Sequence, residues 1–356
     1  MTPRPLPPYL LEHMLWEDEI NPIWPATAFI LHRNLAKYNF PAKLQELPMK
    51  QILEIVKNAL LQTPGLSDPL FLKAEDLSPV DKEFLFEHFM CLEGFQNSAQ
   101  GQGFFIDKSA KFFASINIGN HLQLQLVDSE GNWESGWNRL SQIETAIGTK
   151  LDFAYSPRFG YLTSQPSCCG TGLIVLVYLH LPALIHTGQL QEVLSKEKQE
   201  EIVAVGIEGP IDGLVGDLLV LRNNATLGLT EENILHTLHM TALKLIVAEK
   251  TTRNKLQQEN NSLIKDQVSR AFGLLVHSYQ LETKEALAAL SLLKLGLDLG
   301  WISGTSDKKL NEIFFKCRRA HLAHLFDEKS LEQQEIPRKR AEYLHKEIQG
   351  IQLKTE

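Results

Sequence analysis

The hydrophobic period of this chain changes part-way along it, and that change limits the possible folds more than any other feature. From Met49 to about Thr63, Ile52, Ile55, Val56, Ala59 and Leu60 recur at helical spacing. Ser78-Pro79 opens a second helical stretch through Phe84, Leu85 and His88, with serine placed to cap and proline in the first turn. The region before about residue 95 therefore reads as mostly helix. Gln96–Gly103 (QNSAQGQG) has no large apolar residue and reads as a linker. Beyond it the period is two. Leu122, Leu124 and Leu126 alternate with His121, Gln123 and Gln125, which predicts one buried and one polar face. Lys111–Ile118 stops at Gly119-Asn120, a two-residue hairpin signal. Leu151–Tyr155, Gly160–Thr163, Glu201–Ile207 and Asp217–Leu221 are further expected strands. Helices fall between them without strict alternation, so the expected class is α+β, an antiparallel or mixed sheet with helical cover.

Thr230-Glu231-Glu232 begins a long helix with a cap and an acidic first turn, and Leu235, Leu238, Ala242 and Leu245 form its buried stripe. After Lys250 the sequence turns polar, and the helix is expected to project or link there. Another helical region follows Thr283, with Gly300 placed to cap its end. From about Glu328 the chain is charged and loosely periodic, and its end is expected to fray. Leu173–Leu184 reads as a buried apolar helix entered by a tight turn at Gly170-Thr171-Gly172, a turn whose N–H groups would otherwise face an anion at a helix start.

Charge and cysteine content narrow the function classes. With 35 Lys+Arg against 43 Asp+Glu, the chain lacks the cationic surplus that nucleic acid requires. Four cysteines give no disulfide framework, and Cys168-Cys169 read as small apolar fillers rather than a metal site. The longest apolar run is too short to span a bilayer and no export signal is seen, so a cytoplasmic protein without membrane contact is expected. His321 and His324, one helical turn apart, read as part of a solvated helix.

The stretch FGYLTSQPSCCGTGLIVLVYLHLPAL, Phe159–Leu184, resembles the central motif of the ATP:guanido phosphotransferases, most closely the bacterial protein arginine kinases of the McsB type. Arg33-Asn34-Leu35 with Phe40-Pro41 is similar to that family's first arginine motif, Glu87-His88 to its adenine-side histidine segment, and Asn117 through His121-Leu122 to its acidic strand. Asn223–Gly228, Leu295–Gly300 and Arg340-Ala341 extend the likeness toward the carboxy terminus. The resemblance implies a helical amino-terminal domain (1–95), a catalytic-type α/β domain (104–255) and a helical carboxy-terminal region (256–356). It also implies phosphoryl transfer from Mg-ATP to a guanidinium, which needs arginines around the polyphosphate and carboxylates around the acceptor.

Matched residue by residue, most of that set is replaced. The family's arginines correspond to Ala28, Ile30, Gln123, Ile174 and Val205, and its two strand glutamates to Ile118 and Gly119. Its reactive cysteine corresponds to Gln165. Asp212 is the possible surviving carboxylate, with Glu208 close by. Arg33, Arg158 and Arg222 are the nearby cations that remain, and His88, His121, Gly170 and Gly172 are kept at nucleotide-side positions. Of the family's carboxy-terminal phosphoarginine motif, Arg340-Ala341 stays while the first Arg-Asp is lost. Arg338 and Arg340 are thus either a cationic pocket or a basic, solvated helix start. These replacements lead to the expectation of a kinase homologue without phosphotransfer and without a bound cofactor. It would act as a homodimeric regulatory protein with a Clp ATPase or McsA-type adaptor. The alternative is an active kinase using Mg-ATP, Asp212 and relocated cations. A third reading is a small-molecule sensor using the vacated pocket.

Overall fold

The computed structural model describes residues 6–12, 21–88, 97–197, 200–207, 209–326 and 334–354, the side chains of Glu12 and Asp212 excepted. The amino-terminal part contains α1 (Pro8–Glu12), β1 (Ala26–Arg33), α2 (Glu46–Leu61), β2 (Leu70–Lys73) and α3 (Pro79–Glu87). Next come β3 (Gly103–Ile106), β4 (Phe112–Ile118), β5 (Asn120–Asp128), α4 (Trp133–Gly148), β6 (Tyr155–Ser156) and β7 (Gly160–Tyr161). β8 (Leu173–His180), α5 (Pro182–His186), α6 (Leu190–Lys196), β9 (Ile202–Gly206), β10 (Leu218–Asn223) and α7 (Glu231–Gln258) follow. The remainder is α8 (Ser262–His277), α9 (Thr283–Asp298), β11 (Ile302–Ser303), α10 (Asp307–Lys316), α11 (Arg319–Leu325), α12 (Ile336–Glu347) and β12 (Gln352–Leu353).

The main sheet has eight strands in the order β2-β3-β4-β5-β1-β8-β10-β9, and its first five strands pair antiparallel. The α+β class is what the sequence led us to expect. The chain forms two compact units, one comprising Met1–Leu15, Ala26–Leu176 and Arg222–Leu238, the other Trp16–Pro25, Val177–Leu221 and His239–Glu356.

In the first unit, α2 and α3 bear out the helical spacing, and Ser78 and Asp81 form a reciprocal capping box at the start of α3. The reading of everything before residue 95 as mostly helix needs correction. Ala26–Arg33 is an eight-residue strand inside the sheet, with seven of its residues buried. A strand covered on both faces shows no alternation, so its sequence ATAFILHR carries no period of two. The same cause corrects the polar face expected on β5: His121 and Gln125 are as buried as the leucines between them. The hairpin between β4 and β5 is tighter than expected. Ile118 pairs with Asn120, so only Gly119 lies at the apex, with φ of +70°.

Leu173–Leu184 is not one helix. It is the strand β8, ended at Leu181-Pro182, followed by the five-residue α5. A continuous apolar run fits either element by periodicity alone. β-branched Ile174, Val175 and Val177, with Tyr178, favour the extended form. Gly170-Thr171-Gly172 therefore leads into a strand and offers no helix N-terminus.

In the second unit, α7 continues through the polar stretch after Lys250, because Arg253 is buried there against Glu249 (Nε–Oε1 2.7 Å). Glu249 in turn accepts hydrogen bonds from the backbone N–H groups of Ala183 and Leu184 at the start of α5. Gly300 ends α9 with φ of +77°, as expected. The carboxy terminus does not fray within the described residues: β12 pairs with β11, and Lys354 N–H donates to Trp301 O at 2.8 Å. His321 is buried rather than solvated, and burial holds its imidazole well below the ordinary range. No helix among the described residues is long and apolar enough to cross a membrane.

Candidate functional site

Register places Ala28, Ile30 and Gln123 on one surface. In the β1–β5 ladder, Ala28 lies opposite Val127, Ile30 opposite Gln125 and His32 opposite Gln123. Directly opposed residues share a face. The other face carries Phe29, Leu31 and Arg33 with Leu122, Leu124 and Leu126. There Phe29 packs against Trp133 and Trp137 of α4, with ring centroids 5.3 and 6.4 Å apart.

The Ala28 face has no charge. Ala28 and Ile30 are fully buried, and Gln123 is half-buried. His121, on the same face of β5, uses both ring nitrogens internally: Nδ1 accepts from Leu35 N–H at 3.0 Å and Nε2–H donates to Asn39 O at 2.8 Å. Burial lowers its pKa, so the ring is neutral.

His32 is the residue that sequence reasoning missed. It sits two positions beyond Ile30 on the same face, and the one available signal was that period-two offset from Ala28 and Ile30. Its Nδ1 accepts from Asn120 Nδ2 at 3.2 Å, which leaves the proton on Nε2. Asn120 Oδ1 accepts from Asn34 Nδ2 (2.7 Å) and Ser164 N–H (2.9 Å), fixing the amide that holds the histidine. Burial, reinforced by the Arg33 charge, pushes His32 down to about 4. The unfolded chain therefore binds a proton near pH 6.5 that the folded chain refuses until about pH 4. Stability contributed by neutral His32 is present above pH 6.5 and is lost as pH falls toward 4. We expect His32→Gln to flatten the acid side of the stability–pH curve by on the order of 2–3 kcal/mol between those limits, read from urea midpoints across pH. An unchanged curve would show that His32 is not held neutral.

Arg33 is on the opposite face and is buried, with its Nε and Nη1 hydrogen-bonded. Its Nε binds Glu144 of α4 at 2.7 Å, and Nη1 donates to His32 O and Thr171 O, both at 2.9 Å. Its guanidinium also lies 3.5 Å over the Tyr161 ring. Gly172 is required here, since a Cβ at that position would stand 2.8 Å from Arg33 Nη1 and from His32 O. Gly170 packs similarly against Thr226 O. The two glycines therefore serve close backbone approach.

The other expected site residues fall as follows. His88 is buried at the end of α3 and stacks on Phe84. Ile174 is half-buried on β8. Arg158 and Arg222 are exposed, Arg158 against the Phe159 ring, and Arg222 close enough to oppose the burial that raises the Cys168 thiol. In the second unit, Val205 is half-buried on β9. Glu208 and the side chain of Asp212 lie outside the described residues. Arg340 is no solvated residue: it is buried, with Nε to Cys317 O and Nη1 to Leu281 O, both at 2.7 Å. Arg338 is exposed and pairs with Glu342. Among the described residues no group of three or more His, Cys, Asp or Glu side chains is arranged to hold a metal ion.

This architecture has known counterparts. Residues 51–252 match the family described as ATP:guanido phosphotransferase, C-terminal catalytic domain, and residues 261–356 match the protein-arginine kinase McsB C-terminal domain. A protein-arginine kinase of Chlamydia pneumoniae is 36% identical over 97% of this chain and 98% of its own length. The chain belongs to the protein-arginine kinase family. A further member, from Halothermothrix orenii, is 32% identical over 88% of this chain and 89% of its own. The fold of this chain is shared with solved guanidino kinases. A duplicated taurocyamine kinase from Schistosoma mansoni matches with a TM-score of 0.59 at 23% identity, over 69% of this chain and 36% of that longer one. A lombricine kinase matches with a TM-score of 0.58 at 17% identity, over 74% of each chain.

Proposed function

We propose that this member of the protein-arginine kinase family does not transfer phosphoryl groups and works as a binding or regulatory protein. The observation that carries this reading is the uncharged strand face formed by Ala28, Ile30, His32, His121 and Gln123. A triphosphate needs cations, and this face does not fit one. Each charge-assisted hydrogen bond contributes roughly 1.5–3 kcal/mol, and each lost transition-state donor typically costs about a hundredfold or more in rate. Arg33, the retained arginine, is committed to Glu144, two carbonyls and a tyrosine ring. By family analogy the partners are a Clp ATPase or an McsA-type adaptor in the cytoplasm, with the chain acting as a homodimer.

The decisive experiment incubates the full chain with Mg-ATP and an arginine-rich protein, then measures ADP and acid-labile phosphoarginine. Neither is expected above the enzyme-free rate, and Mg-ATP is expected to leave the melting temperature unchanged. Phosphoarginine formation that Asp212→Ala abolishes would overturn the proposal. It would favour the second reading, an active kinase with relocated cations. That reading is supported by the activity named for the relatives and by the exposure of Arg158 and Arg222.

A further inference from the structure

Cys168 and Cys169, expected from the sequence to be small apolar fillers, are half-buried free thiols that both reach solvent, whereas Cys317 is fully buried. The pair lies in the first unit, on the loop that joins β7 to β8, at the end of a single 3₁₀ turn (Pro166–Cys168). Hydrogen bonds hold that loop on either side of the two residues. Gly170 N–H donates to Tyr161 O (3.1 Å) and Tyr161 N–H to Gly170 O (2.8 Å). Thr226 gives its N–H to Ser167 O (3.1 Å) and its hydroxyl to Cys169 O (2.6 Å). Two neighbouring thiols are thus carried at the surface by a fixed backbone.

The surroundings of the two sulfurs differ. Thr163 N–H donates to Cys169 Sγ at 3.5 Å, with Thr163 Oγ and O further out at 3.7 and 3.9 Å. An N–H aimed at sulfur favours the thiolate, which is the form that attacks. Cys168 Sγ lies 3.6 Å from Gln165 Oε1 and 4.0 Å from Ser167 Oγ. Burial raises the Cys168 thiol above its ordinary range, and negative charge on Cys169 acts in the same direction, against Ser167 and Arg222. One sulfur is therefore set to carry charge while its neighbour keeps a proton. That is the division between an attacking and a resolving cysteine.

We propose that Cys168 and Cys169 form an oxidation site, at which a hydroperoxide converts the two thiols into a disulfide between neighbouring residues. The Cys169 thiolate, its proton given to solvent, attacks the terminal peroxide oxygen. The O–O bond breaks, the leaving oxygen takes up a proton, and a sulfenic acid remains on Cys169. The Cys168 sulfur then attacks the sulfenic sulfur, the S–S bond forms as the S–O bond breaks, and hydroxide leaves with the Cys168 proton as water. Two thiols and one hydroperoxide thus give a disulfide, an alcohol (water from hydrogen peroxide) and a water. A trans peptide keeps neighbouring Cα atoms about 3.8 Å apart, below the roughly 4.4–6.8 Å usual for disulfides, so the bond is strained and readily reduced. The modification is therefore reversible rather than a structural bridge. No phosphoryl chemistry is involved, so the proposal stands whether or not the chain is a kinase.

The test treats the full, reduced chain with hydrogen peroxide, traps it with N-ethylmaleimide under denaturing conditions, and reads tryptic peptides by mass spectrometry. Cleavage after Arg158 and Lys196 releases residues 159–196, whose only cysteines are Cys168 and Cys169, so a disulfide between them is read from one peptide. That peptide is expected to become lighter by two hydrogens and to lose both maleimide adducts together, and dithiothreitol is expected to restore them. The loss is expected to be faster in the folded chain than in the same chain unfolded in urea, because the fold supplies the Thr163 N–H and the held loop. In Cys168→Ser the sulfenic acid has no resolving thiol, so dimedone is expected to label Cys169 there more strongly than it labels Cys168 in Cys169→Ser. A peptide that keeps both adducts, overoxidation without loss of two hydrogens, a disulfide to another cysteine or another chain, or oxidation no faster in the folded chain would each overturn the proposal. Stronger dimedone labelling of Cys168 would overturn the assigned order of attack.

Discussion

Replacing Arg33 by methionine is expected to lower the unfolding free energy by about 3–5 kcal/mol, the range for breaking a buried ion pair from one side. Arg33 is 3% exposed, and its removal strands the Glu144 carboxylate, itself 13% exposed, together with the His32 and Thr171 carbonyls. Methionine fills comparable volume, so the loss reports stranded polar groups rather than a cavity. The measurement is a urea titration in which the midpoint falls while the slope stays constant. Arg33→Lys should recover part of the loss, because a lysine ammonium can reach Glu144 but lacks the planar fork that also serves two carbonyls. A change below about 1 kcal/mol would mean that Arg33 is not a structural tie and is available to a ligand after all.

Arg340 and Arg338 are expected to diverge sharply. Arg340 is 1% exposed, and its guanidinium joins the carbonyls of Cys317 and Leu281. Arg340→Met should cost about 3 kcal/mol or more, because two buried carbonyls lose a charged donor. Arg338→Ala should stay within about 0.5 kcal/mol, since an exposed pair such as Arg338–Glu342 contributes little. The same denaturation series measures both. Similar effects at the two positions would restore the idea that they act together as one cationic pocket. The geometry instead separates a structural arginine from a solvent-facing one.

The helices α2, α3 and α7 were readable from the sequence by their 3.6-residue stripes, α3 and α7 also by the Ser78 and Thr230 caps, and α9 by its stop at Gly300. The strands β9 and β10 were readable as short apolar runs. What escaped was burial on both faces. β1 and β8 lose the alternation that marks a half-buried strand, so ATAFILHR passed unnoticed and LIVLVYLH read as helix. The candidate site divides in the same way. Residue types at Ala28, Ile30 and Gln123 stood in the sequence, but their common face follows from the register of β1 on β5. His32 became visible only once that register was known.

The sequence alone determined the family, the α+β class and the uncharged residue types at Ala28, Ile30 and Gln123, because residue identity and local period are properties of the chain itself. Only the tertiary structure decided what became of the arginines that remain. Arg33 meets Glu144 across 111 residues, and Arg340 meets Leu281 across 59. Whether a guanidinium is free to bind a ligand depends on which distant carbonyls and carboxylates folding brings within hydrogen-bond reach, and no local pattern records that.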